Sequence, residues 1–177
     1  MNTENIVIRY MLAQGHTKTQ EVPAHFHQVV VDPPKSQTFQ GYIDFQGLKI
    51  DVENLKGSTR TKKGPKGEWS VHMHAHYGEI RDTEGVDGDK LDVYVGDNHD
   101  SSLVVAIQQH NPDTGEYDED KVILGCDSID DAIALYNKQY SKPGFFKDGA
   151  YVAMPIGAFW RWVHEDKNRG KKMKLAA

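Results

Sequence analysis

Short apolar runs separated by turn-forming residues fill the middle of the chain. Each run is rich in β-branched or aromatic residues and is bounded by Gly, Pro, Asn or Asp, as is typical of strands. The five runs are GYIDFQGLKIDVEN, GEWSVHMHAHYGEI, DKLDVYVG, SSLVVAIQQH and DEDKVILG. Repeated short strands of this kind predict a β-barrel or a β-sandwich.

The hydrophobic period changes after these runs. Apolar residues recur at helical spacing from Ile129 to Tyr136, behind Ser128, whose hydroxyl can cap the first turn. This pattern predicts a helix over 128–140, and a second helix is predicted over 158–168. The segment GAYVAMP between them is predicted to be a further strand.

The two ends of the chain differ from its middle. The pair Pro33 and Pro34 stops regular structure, so we expect residues 1–40 to form an N-terminal accessory arm. Residues 41–165 then form the main domain. Residues 166–177 read as a basic C-terminal tail that frays.

Composition and charge exclude several classes of protein. The chain of 177 residues, 38% hydrophobic and 27% charged, fits one main globular domain. A net charge of −5 argues against a nucleic acid as the primary ligand, since nucleic-acid-binding domains are usually strongly basic. The single cysteine, Cys126, excludes an intramolecular disulfide. No apolar run approaches the ~20 residues that span a bilayer, and no signal peptide is recognisable, so we expect a cytoplasmic protein without a membrane partner.

Three carboxylates crowd the segment VDGDKLDVYV. Asp87, Asp89 and Asp92 lie within six residues, and such acids cannot all ionise near neutral pH unless a cation offsets their repulsion. Gly88 permits the backbone angles of a turn, which we predict at 87–90. A divalent metal site is the functional interpretation, and a polar turn with solvated acids is the alternative.

The order of residues around this turn resembles a known family. The run HYGEIRDTEGVDGDKLDV resembles the signature of family I soluble inorganic pyrophosphatases. With GLKIDVENLKGSTR before it and TGEYDEDKVILG after it, the chain is similar to the pyrophosphatase-like domains of phage-encoded proteins over residues 41–160. The resemblance implies an α+β, mainly β fold: a small closed OB-like β-barrel with one or two flanking helices.

The same resemblance implies an activity. It is Mg²⁺-dependent hydrolysis of inorganic pyrophosphate to phosphate by a metal-activated water, in the host cytoplasm if the protein is phage-encoded. Mn²⁺ or another divalent ion is an alternative cofactor, and the expected ligand is a small phosphorylated substrate.

The metal ligands implied by the resemblance come first from the aspartate turn. Asp87 and Asp92 match family ligands, and Asp89 matches the ligand that also acts as the catalytic base. Glu53, in IDVEN, resembles a glutamate on an early strand that faces the metals.

A second acidic stretch, DTGEYDEDK, has the family's ingredients with a longer spacing. Asp118 and Lys121 are the matches implied for a metal ligand and a catalytic lysine, and Asp113 is a further candidate ligand. The insertion leaves open whether Asp118 or Asp120 turns toward the site.

Phosphate-binding groups complete the implied site. Arg60 can grip phosphate oxygens with its planar fork, and Lys62 or a neighbouring lysine can add a point charge. Tyr77 matches the family's active-site tyrosine before a glycine. Tyr140 and Lys142 resemble an adjacent Tyr-Lys pair that binds the leaving phosphate, although one residue separates them here.

Two further features leave alternatives open. Lys90 stands where the family has proline or an acid, and it would either weaken metal affinity or add a phosphate contact. His72, His74 and His76 alternate, so on one strand they would share a face, as a transition-metal site or as a polar surface.

A second class of function also fits the sequence. The alternative is a phage-encoded binding or structural protein that retains the fold without turnover, or a hydrolase of another small phosphoanhydride. A homo-oligomer, or a phage protein partner bound through residues 1–40, is the macromolecular contact that we expect.

Overall fold

The structure of the protein, a computed structural model, describes residues 6–11, 17–22, 26–27, 40–64 and 67–174. Side chains are described from residue 40 onward, apart from that of Lys62. The rest of the predicted N-terminal arm and the last three residues of the predicted tail lie outside the described residues. Within the described ranges, no helix has the length and apolar character needed to cross a membrane.

Strands make up most of the fold. In chain order they are β1 (Ile6–Met11), β2 (Thr17–Val22), β3 (Phe26–His27), β4 (Gly41–Phe45), β5 (Leu48–Asn54), β6 (Thr59–Gly64), β7 (Gly67–His72), β8 (His76–Ile80), β9 (Asp92–Val95), β10 (Leu103–His110), β11 (Tyr117–Leu124) and β12 (Tyr151–Pro155). Two helices, α1 (Ile129–Lys138) and α2 (Ile156–His164), and a 3₁₀ turn at Asp166–Asn168 complete the described elements. The α+β, mainly β class predicted from the sequence is confirmed.

Eight strands form one mixed sheet in the order β12-β10-β11-β9-β8-β5-β4-β3. Neighbouring strands are antiparallel, except that β9 and β11 run parallel. β1 with β2, and β6 with β7, form separate two-stranded sheets. The predicted closed barrel is wrong, because β3 and β12 are the edges of an open sheet in the described part of the chain. Apolar runs locate strands, but they carry no information on whether the first and last strands pair.

Two of the five predicted runs contain a turn and therefore form two strands each. In GYIDFQGLKIDVEN the turn lies at Gln46 and Gly47, which both have positive φ (51° and 92°). The Asp44 carboxylate accepts a hydrogen bond of 2.9 Å from the Gly47 N–H, which stabilises the reversal. The run GEWSVHMHAHYGEI is likewise interrupted between β7 and β8.

Strand β10 is buried on both faces because a helix covers each of them. Val104 belongs to the core cluster that contains Phe159 of α2, whereas Val105 belongs to the cluster that contains Tyr136 of α1. Burial on both faces explains why this strand reads as a continuous apolar run rather than an alternating one.

The two predicted helices are confirmed with shifted ends. Helix α1 begins behind Ser128, whose Oγ accepts a hydrogen bond of 3.1 Å from the Asp131 N–H, and it ends at Lys138. Helix α2 begins at Ile156 and ends at His164, where the 3₁₀ turn takes over from the predicted continuation.

The alternating histidines do not share a strand. β7 ends at His72 and β8 begins at His76, so His74 lies in the connection between them. The rings of His72 and His74 meet edge to face, with centroids 5.0 Å apart. His76 is buried, and its Nδ1 accepts a hydrogen bond of 3.2 Å from the Lys56 N–H. The common strand face expected for the three histidines is therefore wrong.

The burial of His76 predicts a loss of stability in acid. Burial lowers the pKa of His76 from 6.5 to about 4, so the unfolded chain binds the proton more tightly between these values. The contribution of His76 is therefore complete above about pH 6.5 and is lost as the pH falls through about 4, at a cost of up to ~3 kcal/mol. We expect His76→Gln to show a weaker fall in Tm than the unaltered protein between pH 7 and pH 4. His164→Gln, at an exposed position, is the control, and an equal pH dependence in all three proteins would contradict the expectation.

The C-terminal segment docks on the sheet as far as residue 174. Met173 is fully buried, and its N–H donates a hydrogen bond of 2.7 Å to the carboxylate of Asp120 on β11. Gln108 donates to the Met173 carbonyl at 3.1 Å. The fraying expected for the basic tail is therefore wrong over its described residues. At the other end, β3 pairs with β4, so part of the predicted arm extends the main sheet.

Candidate functional site

A cavity of about 640 Å³ opens on the face of the sheet that α1 covers. Side chains of β8, β9 and β11 line it together with the β6–β7 hairpin and the segment that follows α1. Eight of the twelve side chains expected in the site line this cavity: Arg60, Tyr77, Asp87, Asp92, Asp113, Lys121, Tyr140 and Lys142. Glu53, Asp89 and Asp118 are not among the lining residues, and the side chain of Lys62 lies outside the described part of the chain.

A buried ion cluster forms the centre of the site. The parallel pairing of β9 and β11 sets Lys121 beside Asp92, and the Lys121 ammonium contacts the Asp92 carboxylate. The same ammonium lies 2.9 Å from the carboxylate of Glu119. Burial by itself lowers the pKa of Lys121, but the two carboxylates outweigh it, and the net pKa is raised. Lys121 is therefore held as a cation inside the protein.

Tyr77 joins this cluster from the neighbouring strand. Its hydroxyl donates a hydrogen bond of 2.7 Å to Asp92, and burial together with Asp92 raises the pKa of Tyr77, so the hydroxyl stays protonated. The next residue, Gly78, lies against β5: a Cβ there would stand 1.9 Å from the Asp51 carbonyl oxygen. Only glycine fits this close approach, which explains the Tyr-Gly order on β8.

Arg60 reaches the cavity from the β6–β7 hairpin. Its guanidinium carbon lies 4.4 Å from the centroid of the Tyr77 ring and 5.9 Å from that of Trp69. Both distances fall within the reach of a cation–π contact, which holds the planar fork at the cavity wall. A fixed cation at this position can bind phosphate oxygens.

The aspartate turn borders the cavity on one side. The predicted turn lies at residues 86–89, where Gly88 has φ +87°. Asp87 lines the cavity, and its carboxylate accepts a hydrogen bond of 3.1 Å from the Asp89 N–H. The Asp89 side chain is exposed and is not among the lining groups. The turn therefore directs one of its two acids into the cavity.

In the second acidic stretch, the carboxylate that faces the cavity is Glu119, which was not among the residues predicted from the sequence. Glu119 and Lys121 alternate on β11 and face the cavity, whereas Asp120 points to the opposite face and binds Met173. Asp118 is exposed. Neither of the two aspartates left open by the sequence lines the cavity, and the residue between them does. Side chains alternate between the two faces of a strand, so the two-residue spacing from Lys121 could have identified Glu119.

Gln109 is a second residue that the sequence did not reveal. Its Oε1 accepts hydrogen bonds from the hydroxyls of Tyr136 and Tyr140, at 2.8 and 2.7 Å. Its Nε2 donates to Asp118 at 3.1 Å and to Glu119 at 3.0 Å. All four hydrogen-bonding positions of the amide are used, so its orientation is fixed with the N–H groups toward the acids. Gln109 thereby ties α1 to the carboxylates of the site.

Three other acids and a lysine lie near the cluster without lining the cavity. Burial, followed by the charges of Glu79 and Asp92, raises the pKa of Glu53, so this carboxylate belongs to the same electrostatic neighbourhood. The Lys90 ammonium lies 3.4 Å from the carboxylates of both Asp51 and Glu79. Lys90 therefore offsets acids at the edge of the site and is not among the groups that line it.

The rim of the cavity carries an exposed ion pair. The Lys142 ammonium lies 2.7 Å from the Asp113 carboxylate, and both side chains are more than half exposed. Such a pair contributes little to stability, so its charges can be redirected to a ligand at small cost. Tyr140 and Lys142 both line the cavity although Ser141 stands between them.

The donor types of the site fit a hard divalent cation. Asp87, Asp92, Asp113 and Glu119 line the cavity and offer carboxylate oxygens, the ligands that Mg²⁺ prefers. Burial raises the pKa of Glu119, and a bound cation would favour its ionised form. Among the residues that the structure describes, no group of three His, Cys, Asp or Glu side chains is already arranged to hold a metal ion.

Comparison with known proteins gave one match. A family model described as Inorganic Pyrophosphatase matches residues 34–164, which is more than half of the chain. Searches of curated proteins and of solved structures found no match. The matched range contains every candidate site residue.

Proposed function

The chain belongs to the inorganic pyrophosphatase family, and we propose that it hydrolyses inorganic pyrophosphate to two phosphates with Mg²⁺ as cofactor. The observation that carries this proposal is the cavity in which Arg60, Lys121 and Lys142 stand among carboxylates. Cations of this kind bind phosphate oxygens, and acids among them can hold divalent ions. A phosphoanhydride brought into the cavity would meet both.

Binding and orientation of the substrate fall to the cationic side chains. We assign one phosphate to Arg60, whose planar guanidinium matches phosphate geometry, and the departing phosphate to Lys142. The Tyr140 hydroxyl donates its proton to Gln109, so it lines this end of the cavity without a free donor. Lys121, a buried cation, offsets the negative charge that develops on the bridging oxygen. Tyr77 keeps its proton and fixes the carboxylate of Asp92.

The reaction consumes one water. The water oxygen forms a bond to one phosphorus while the bond from that phosphorus to the bridging oxygen breaks, and no covalent enzyme intermediate forms. Asp87, Asp92 and Glu119 are the residues that would hold the metal, which supplies charge neutralisation and lowers the pKa of water. The resemblance implies Asp89 as the base that takes the proton of the water, but its side chain does not line the cavity, so Asp87 on the same turn is the proposed base.

Phosphate release from pyrophosphate tests this function. With Mg²⁺ the purified protein should release two phosphates per pyrophosphate, and EDTA should remove the activity until Mg²⁺ is restored. Arg60→Gln should raise KM about tenfold, as expected for the loss of one charge-assisted contact of ~1.5 kcal/mol. The matched control is Arg161→Gln, on the exposed side of α2. Absence of release from the unaltered protein would favour the alternative, a binding or structural protein that retains the fold without turnover.

A further inference from the structure

The cavity has an apolar wall that inorganic pyrophosphate does not require. Trp69, Val71, Met73, Pro112 and Phe145 line the same space as the charged cluster. Pyrophosphate presents oxygen atoms on all sides and has no apolar surface to bury against such a wall. The apolar side chains therefore point to a ligand with a second, apolar part.

Trp69 is the most accessible member of this wall. Trp69 is 44% exposed. Removing the apolar surface of an indole from water is favourable, so a ligand that covers Trp69 would gain free energy of binding. Trp69 lies on β7, and the Arg60 guanidinium stands between its ring and that of Tyr77. A ligand whose phosphates are held by Arg60 can thus place a planar group on Trp69.

The size of the cavity agrees with a larger ligand. About 640 Å³ lies within the range of ~300–1,000 Å³ that is typical of sites for drug-sized molecules. The ring of Phe145 is tilted by 30° against that of Tyr140, with centroids 4.3 Å apart, and it extends the apolar wall next to Lys142. Charged and aromatic groups in one cavity match a phosphorylated compound with an aromatic ring.

We propose that the site also accepts nucleoside 5′-diphosphates, whose base stacks on Trp69 while Arg60 and Lys121 engage the two phosphates. This inference rests on the proposed pyrophosphatase function of the same site. For ADP, one water adds its oxygen to the β-phosphorus, and the bond from that phosphorus to the bridging oxygen breaks. The products are AMP, which keeps the bridging oxygen, and phosphate, and the released proton goes to solvent.

A matched pair of tryptophans allows a direct test. Trp160 on α2 is 46% exposed, close to the value for Trp69, but it stacks on His164 at 4.2 Å and does not line the cavity. Phosphate release is measured with Mg²⁺ from ADP and from pyrophosphate, for the unaltered protein, Trp69→Ala and Trp160→Ala. Since stacking of one base is worth about tenfold in affinity, the ratio of kcat/KM for ADP to that for pyrophosphate should fall about tenfold in Trp69→Ala. It should stay unchanged in Trp160→Ala.

The outcomes separate this inference from the function on which it rests. Hydrolysis of pyrophosphate without hydrolysis of ADP would overturn the inference and leave the proposed function intact. An unchanged ratio in Trp69→Ala would overturn the assignment of the base to the tryptophan wall. Hydrolysis of ADP alone would overturn the pyrophosphatase function and support the nucleotide site, and hydrolysis of neither would overturn both.

Discussion

Lys121→Met is expected to reduce phosphate release from pyrophosphate by at least about a thousandfold and to lower the free energy of unfolding by ~3 kcal/mol. The Lys121 side chain is 8% exposed, and it separates the carboxylates of Asp92 and Glu119. Methionine fills a similar volume but leaves these two acids facing each other without a cation. The repulsion between the two acids lowers the stability. The variant also lacks the positive charge that offsets the negative charge developing on the bridging oxygen, which lowers kcat.

The measurement is a steady-state assay combined with urea unfolding at neutral pH. Lys167→Met is the control, because Lys167 forms a surface pair with Glu165 and is 75% exposed. A surface pair contributes at most ~1 kcal/mol, so the control should keep both activity and stability. If Lys121→Met retained more than about a tenth of the activity, the assignment of Lys121 as the cation that stabilises the bridging oxygen would be overturned.

Glu119→Gln is expected to lower kcat for pyrophosphate by about a hundredfold, whereas Asp118→Asn should lower it by less than about threefold. The two acids are adjacent in the chain, and both accept a hydrogen bond from Gln109. Only Glu119 lines the cavity and contacts Lys121. A glutamine keeps the shape and one acceptor oxygen but removes the charge that could hold a divalent ion.

Titration of Mg²⁺ distinguishes the two variants further. Glu119→Gln should require a higher Mg²⁺ concentration for half-maximal activity, while Asp118→Asn should follow the unaltered protein. Equal losses in both variants, or a larger loss in Asp118→Asn, would show that the acid facing the metal was assigned wrongly. Thermal unfolding of each variant checks that neither loss reflects a failure to fold.

The strands and helices could largely be predicted because their signals are local. A half-buried strand alternates apolar and polar residues, and Ser128 caps α1 through contacts within one turn. The closure of the sheet could not be predicted, since it depends on whether strands far apart in sequence meet. The docking of Met173 on Asp120 was hidden for the same reason, because 53 residues separate the two.

The candidate site was predictable where charge and spacing identify a residue. Asp87, Asp92 and Lys121 carry charges within recognisable segments, and the structure brings all three to one cavity. Glu119 was missed because the spacing between acids in DTGEYDEDK is longer than in the family, and the family's metal ligand was therefore matched to the neighbouring Asp118. Gln109 was missed because it is uncharged and lies near the end of an apolar strand. Its partners Tyr136, on α1, and Tyr140, just after α1, lie more than 25 residues away.

The parallel pairing of β9 with β11 also bears on how the site is assembled during folding. The contact between Asp92 and Lys121 closes a loop of 29 residues, whereas β10 and β11 form an antiparallel pair between chain neighbours. Chain entropy is lost before a long-range pair gains its contacts, so such pairs form after local hairpins. Until the last of these strands docks, the lysine and the aspartate of the site remain apart in water. We therefore expect the proposed site to form only when β9 and β11 pair, so that a partly folded chain would lack the contact between Asp92 and Lys121.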